Sequence, residues 1–189
     1  MGETPMPPEE GTALVVLHPV DAAESVEYAR AGTVLRVVAS IPFSRIAIVY
    51  PNNDPGAAGI VRCWQEHATG ERFHVFPDLP RPQFLGLLRN AAVLVGNSSS
   101  GIIEAASFGT PVVDVGPRQL GRERSQNVTN VPYSEPAIRR ALKRIWNDGR
   151  PKRFRGRNVY GGGGAGRKIA AALARIDLGE RVRRKLIAY

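Results

Sequence analysis

The chain has 189 residues, 43% of them hydrophobic, and a formal net charge of +9. That length and apolar content support one substantial globular core and exclude a natively disordered chain, and no apolar run approaches the roughly 20 residues of a membrane-spanning helix. The charge is uneven: residues 1–117 carry 7 basic and 12 acidic side chains, whereas residues 118–189 carry 19 basic and 5 acidic.

The opening MGETPMPPEE is acidic and proline-rich, unlike a secretory or transit signal, so residues 1–11 are expected to be disordered and the protein cytoplasmic. Ala13 to Leu17 reads as a strand, followed by His18-Pro19 and a helix from Asp21 to about Ser40. Arg45 to Tyr50 contains IAIVY, an apolar β-branched run expected as a buried strand. A loop at Pro51 to Pro55 leads into a helix from Gly56 to about Ala68. A short strand, Phe73 to Phe76, precedes the proline-rich DLPRP connection and a helix over Pro82 to Asn90. Ala92 to Val95 is the next strand, ending at Gly96. The hydroxyl-rich turn Asn97 to Gly101 then leads to a helix over Ile102 to Phe108. Pro111 to Val115 is extended, as is a brief segment near Gln126 to Val131, and a helix runs from about Ser134 to Asn147. After a long loop, Gly149 to Gly164, helices are expected at Ala165 to about Arg175 and at Leu178 to Ala188. Alternating strands and helices predict an α/β fold: a Rossmann-like parallel sheet with right-handed crossovers and helices on both faces.

The richest stretch is Val93 to Arg124, VLVGNSSSGIIEAASFGTPVVDVGPRQLGRER. A helix start following a strand offers unpaired backbone N–H groups at the positive end of the helix dipole, and serine hydroxyls beside them form a cradle for phosphate. Glu104, placed by this reading within the first helical turn, is suited to accept hydrogen bonds from a ribose diol. The same residues also read as an ordinary N-cap with ordinary dipole compensation. Neither GxGxxG nor GxxxxGK[ST] is present to decide between them. Single Cys63 cannot form an internal disulfide and reads as a buried, idle thiol, and three scattered histidines suggest no metal site. The basic C-terminal third lacks interleaved aromatics or a nucleic-acid motif, so nucleic acid is not an expected partner.

GNSSSGIIEAASFGTPVVDVGPRQLGRE resembles the nucleotide-binding signature of the hydrolysing UDP-N-acetylglucosamine 2-epimerases, and three further segments agree in order. LHPVD (Leu17 to Asp21) is similar to the family's histidine segment, YPNNDPG (Tyr50 to Gly56) to its second loop, and YGGGGAGRKIAAAL (Tyr160 to Leu173) to its closing glycine-rich turn and helix. The resemblance covers most of residues 13–175. It implies one half of a glycosyltransferase-B-type fold, with residues 12–189 as a single Rossmann-like UDP-binding domain. The N-terminal half, which in the family works on the sugar, is then missing from this chain.

The resemblance also implies roles. Ser98 and Ser99 contact the pyrophosphate and Glu104 the ribose hydroxyls. Arg118 is the cation near the phosphates, able to stabilise departing UDP. His18, at the end of the first strand, faces the sugar and pyrophosphate, where it helps catalysis or binds phosphate; read alone, it would only brace the turn before Pro19. Asn52 and Asp54 line the cleft, though NNDPG also suffices as a plain turn. Leu79 marks the place where main-chain groups hold uracil, and Arg81 stands nearby where the family has an aromatic, free either to stack on a base or to face solvent. The glycine run before Ala165 is either a linker or an ordered turn at the cleft. No cofactor and no metal are implied. The expected partners are UDP or a UDP-N-acetylhexosamine and a separate N-terminal catalytic domain, with a homo-oligomer also open and no membrane. The implied reaction converts UDP-N-acetylglucosamine and water to N-acetylmannosamine and UDP. The alternative is a non-catalytic UDP- or UDP-sugar-binding module or remnant.

Overall fold

A computed structural model describes residues 11–146, 152–176 and 179. The expected disorder of residues 1–11 falls outside these except at Gly11, and the expected helix at Leu178 to Ala188 falls outside them except at Gly179.

The elements in chain order are β1 (Thr12–Val16), α1 (Glu24–Ala39), β2 (Arg45–Val49), α2 (Ala57–His67), β3 (Phe73–Phe76), α3 (Arg81–Asn90), β4 (Val93–Gly96), α4 (Ser99–Ile103), α5 (Ala105–Phe108), β5 (Val112–Val115), β6 (Val128–Val131), α6 (Glu135–Trp146) and α7 (Ala165–Leu173). The six strands pair in the order β3-β2-β1-β4-β5-β6, and every pairing is parallel. That is the order of a doubly wound dinucleotide-type sheet, whose direction of build reverses between β1 and β4.

The central strands are buried on both faces, which is why TALVV, VLVG and VVDV read as almost unbroken apolar runs. Alternate side chains enter opposite cores. On one face Val15, Ile46, Ile48, Val95 and Val113 pack against α1, α2 and α6. On the other, Leu14, Val16, Leu94 and Val112 pack against α3 and α5. The edge strands β3 and β6 are more exposed. Cys63 is fully buried in the first core, and burial pushes its thiol up to about 11, so it stays protonated and inert. Among the described residues no helix is long and apolar enough to cross a membrane.

One expectation about the central motif fails. The helix does not begin at Ile102: Ser98 is an N-cap whose side chain accepts from the Ser100 N–H, and α4 starts at Ser99. Glu104 consequently lies at the junction between α4 and α5, not in the first turn. The early start is possible because Gly101 packs against the sheet; a Cβ there would lie 2.8 Å from Val112 Cγ1. Gly101 serves close packing between helix and strand rather than breaking the helix.

Candidate functional site

The reversal between β1 and β4 leaves a crevice at the carboxyl ends of these strands, because the chains leaving them run to opposite faces. β4 is drawn close to β1 at this point. Gly96 has φ +143, and a Cβ would sit 2.0 Å from the Val16 carbonyl oxygen, so only glycine fits. The next residue, Asn97, is fully buried and organises the crevice.

The Asn97 amide bonds both backbone groups of His18: Oδ1 accepts from the His18 N–H at 2.7 Å, and Nδ2 donates to the His18 carbonyl at 2.8 Å. Nδ2 also reaches the Tyr133 hydroxyl at 3.3 Å. The Asn97 carbonyl in turn accepts from Gln119 Nε2 at 2.7 Å and from Arg118 Nη1 at 3.3 Å. One residue therefore ties together the loops that follow β1, β4, β5 and β6. Sequence reading did not single it out. Its importance depends on a partner 79 positions away, and the only local signal was an amide preceding the serine run.

His18 is half-buried, and its Nδ1 accepts the Asn52 backbone N–H at 3.0 Å. Burial lowers its pKa below the usual 6.5, and the nearby Arg118 cation lowers it further. The neutral ring, with Nδ1 already accepting, carries its proton on Nε2 and presents a donor. Ser98 spends its oxygen as a cap acceptor and keeps its hydroxyl hydrogen for an incoming oxygen. Ser99 opens α4 beside it. Arg118 uses one N–H on the Asn97 carbonyl, which leaves the rest of its fork for a bidentate anion contact. These four residues and Asn97 form one connected group of donors at the carboxyl ends of β1 and β4. Such a group suits a phosphate or pyrophosphate.

Arg118 belongs to a loop that is itself braced from beneath. Arg124 Nη2 donates to the Gln119 carbonyl at 2.7 Å and to the buried Asp114 at 3.3 Å, and Asn130 donates to the same carboxylate at 3.1 Å. Burial pushes the Asp114 pKa up, opposed by these two partners.

The remaining expected residues are less enclosed. Asn52 and Asp54 are exposed and hydrogen-bonded to each other. Leu79 is partly buried against the second core. Glu104 is paired through Oε1 with Arg81 Nη2 at 3.1 Å, and Arg81 is 72% exposed. Arg81 thus engages the carboxylate expected to hold a ribose. In the glycine run, Gly161, Gly163 and Gly164 have positive φ, Gly164 is the N-cap of α7, and the whole run is exposed. Among the described residues no group of three His, Cys, Asp or Glu side chains is arranged to hold a metal.

Comparison with known proteins agrees with the architecture. The family model for UDP-N-acetylglucosamine 2-epimerase matches residues 3–174. The UDP-N,N'-diacetylbacillosamine 2-epimerase (hydrolyzing) of Legionella pneumophila is 35% identical over 96% of this chain and 47% of its own length. The UDP-N-acetylglucosamine 2-epimerase of Neisseria meningitidis serogroup B is 30% identical over 82% of this chain and 40% of its own. The chain thus spans about half the length of the curated relatives it matches. Among solved structures, the Neisseria meningitidis epimerase bound to UDP-GlcNAc superposes with a TM-score of 0.67 at 16% identity, covering 88% of this chain and 45% of that one. The fold is shared with one half of that structure, a parallel α/β half of the glycosyltransferase-B type. The match to the family model spans most of the sequence, and the crevice carries the resembling serine and arginine segments at its β1–β4 edge. The chain belongs to the UDP-N-acetylglucosamine 2-epimerase family.

Proposed function

We propose that this chain is the nucleotide-sugar-binding half of a hydrolysing epimerase acting on a UDP-N-acetylhexosamine. The observation that carries the reading is the donor group at the sheet reversal: Ser98 and Ser99 at the start of α4, with Arg118 and His18 both tied to Asn97. In this reading Ser98, Ser99 and Arg118 hold the pyrophosphate, and Glu104 takes the ribose diol once Arg81 yields it. Main-chain groups at Leu79 receive the uracil. His18 donates from Nε2 toward the pyrophosphate or the sugar, with Asn52 and Asp54 beside it.

The chemistry this supports is stabilisation of the leaving group. As the C2 proton is removed and the C1–oxygen bond breaks, negative charge grows on the departing diphosphate, where fixed donors and a guanidinium are most effective. Removing the C2 proton and protonating the returning face require acid–base groups. The proposal places these on the half of the relatives that this chain does not span. Purified alone, the chain is expected to bind UDP and to release no measurable N-acetylmannosamine.

Calorimetric titration of UDP into the full chain, with Ser98→Ala and Glu104→Ala alongside, tests the binding. Micromolar or tighter binding that both substitutions weaken supports the site. Binding that is absent, or indifferent to both substitutions, removes it.

A further inference from the structure

A second concave site lies away from the crevice. Residues 152–160 cross the molecule as a strap fastened by polar contacts. The Phe154 N–H donates to the Gly109 carbonyl at 3.0 Å. Asn158 Nδ2 reaches the Ile103 carbonyl and Ser107 Oγ, both at 2.8 Å, and the Val159 N–H donates to Ser125 Oγ at 3.1 Å. The strap follows a close path: Gly109, at φ +68, leaves no room for a Cβ, which would lie 2.4 Å from the Phe154 carbonyl oxygen. Between strap and body lies a half-open cavity of about 240 Å³ whose lining includes Arg124, Arg155, Arg157, Ser125, Asn127 and Phe154, and no acidic residue.

Three arginines share this lining; Arg124 is paired with Asp114, while among the described residues neither Arg155 nor Arg157 has a carboxylate partner. Arg155 and Arg157 bring two positive charges to the lining without a counter-charge, and an anion between them offsets their repulsion. Asn127 is 3% exposed, and its Nδ2 is committed to the Thr110 carbonyl at 2.8 Å, while its Oδ1 is buried without a partner. Arg124 Nε is likewise buried and unpartnered. The cavity is not part of the crevice. The Asn127 carbonyl accepts from the Val112 N–H at the amino ends of β5 and β6, whereas Ser98 and Arg118 lie at carboxyl ends. Its volume falls below the roughly 300 Å³ at which clefts for drug-sized ligands begin, so a nucleotide-sugar is too large for it.

We propose that this cavity is a second binding site, for a compact oxyanion. Arginine forks pair bidentately with phosphate and carboxylate alike. The apolar wall at Phe154 suits a short carbon body.

The test is an NMR titration of the isotopically labelled full chain with inorganic phosphate, using chloride at matched ionic strength as control. Saturable shifts are expected at residues 154–159, Ser125 and Asn127. The double variant Arg155→Ala/Arg157→Ala should weaken this binding at least tenfold without lowering the thermal midpoint, since both side chains are exposed. Arg118→Ala should leave it unchanged, which separates this site from the crevice. Parallel titrations with glycerol 3-phosphate and with citrate distinguish a phosphate ester from a carboxylate as the tighter ligand. Shifts confined to Asn97–Glu104, or strap shifts that chloride reproduces, would overturn the proposal. The crevice reading would stand or fall separately on UDP binding.

Discussion

On the β4–β5 side of the crevice the polar groups are buried and committed to neighbouring loops, whereas on the β2–α3 side they are exposed and engaged with each other. Asn97 and Gln119 are almost wholly inaccessible, and between them they fix the His18 backbone and the base of Arg118. Across the crevice, exposed Asn52 bonds exposed Asp54, and exposed Arg81 bonds the partly buried Glu104. The first side is preorganised for a ligand; the second has to exchange one set of partners for another. In the proposed function, pyrophosphate recognition therefore carries the affinity, and nucleoside recognition adds less because it first breaks existing pairs.

The largest test of this contrast is Asn97→Leu. It preserves volume but leaves the His18 N–H and carbonyl and the Tyr133 hydroxyl without their shared partner, a loss of about 3 kcal/mol of folding stability. Urea unfolding measures it, and a loss below about 1 kcal/mol would mean that Asn97 is not the organising residue. Next comes Arg118→Ala, which removes a charge-assisted contact of about 1.5–3 kcal/mol and should weaken UDP binding by roughly tenfold to a hundredfold at unchanged stability. Equal affinity for wild type and variant in calorimetry would move the phosphate site elsewhere.

A smaller effect concerns pH. The folded His18 pKa lies below 6.5, so the unfolded chain binds the proton more readily. The resulting stability is complete above pH 6.5 and is lost as pH falls from there toward the folded value. The thermal midpoint should drop between pH 7 and pH 5.5, and less so in His18→Gln. Identical drops in the two proteins would assign the effect to other groups. Smallest of all is Arg81→Ala. The ion pair is largely exposed and worth under about 1 kcal/mol, so UDP affinity should change by less than about fivefold. A large loss instead would mean that Arg81 contacts the base directly and that the β2–α3 side is not the weaker one.

Much of the fold was readable because central parallel strands are apolar on both faces and therefore stand out as continuous runs. β3 was placed to the residue even though it is only partly buried, since prolines and glycine bound it. The start of α4 was misplaced by three residues. Consecutive serines followed by glycine look like a turn, and only the contact between Gly101 and Val112 shows that the glycine lies against the sheet. The same shift moved Glu104 out of the first turn. Arg81 was noticed as a departure, but its partner lies 23 residues further on, beyond any local pattern. Asn97 escaped for the same reason at larger separation: a side chain that joins four loops leaves no periodic trace.

The two bonds from the Asn97 amide to the His18 backbone have a kinetic consequence. An asparagine side chain that both accepts from and donates to one residue imitates the next rung of a strand ladder, so the sheet is effectively longer than its paired backbones. Although His18 lies in a loop, its amide proton should exchange with deuterated solvent on the timescale of the inner strands, requiring global rather than local opening to be released.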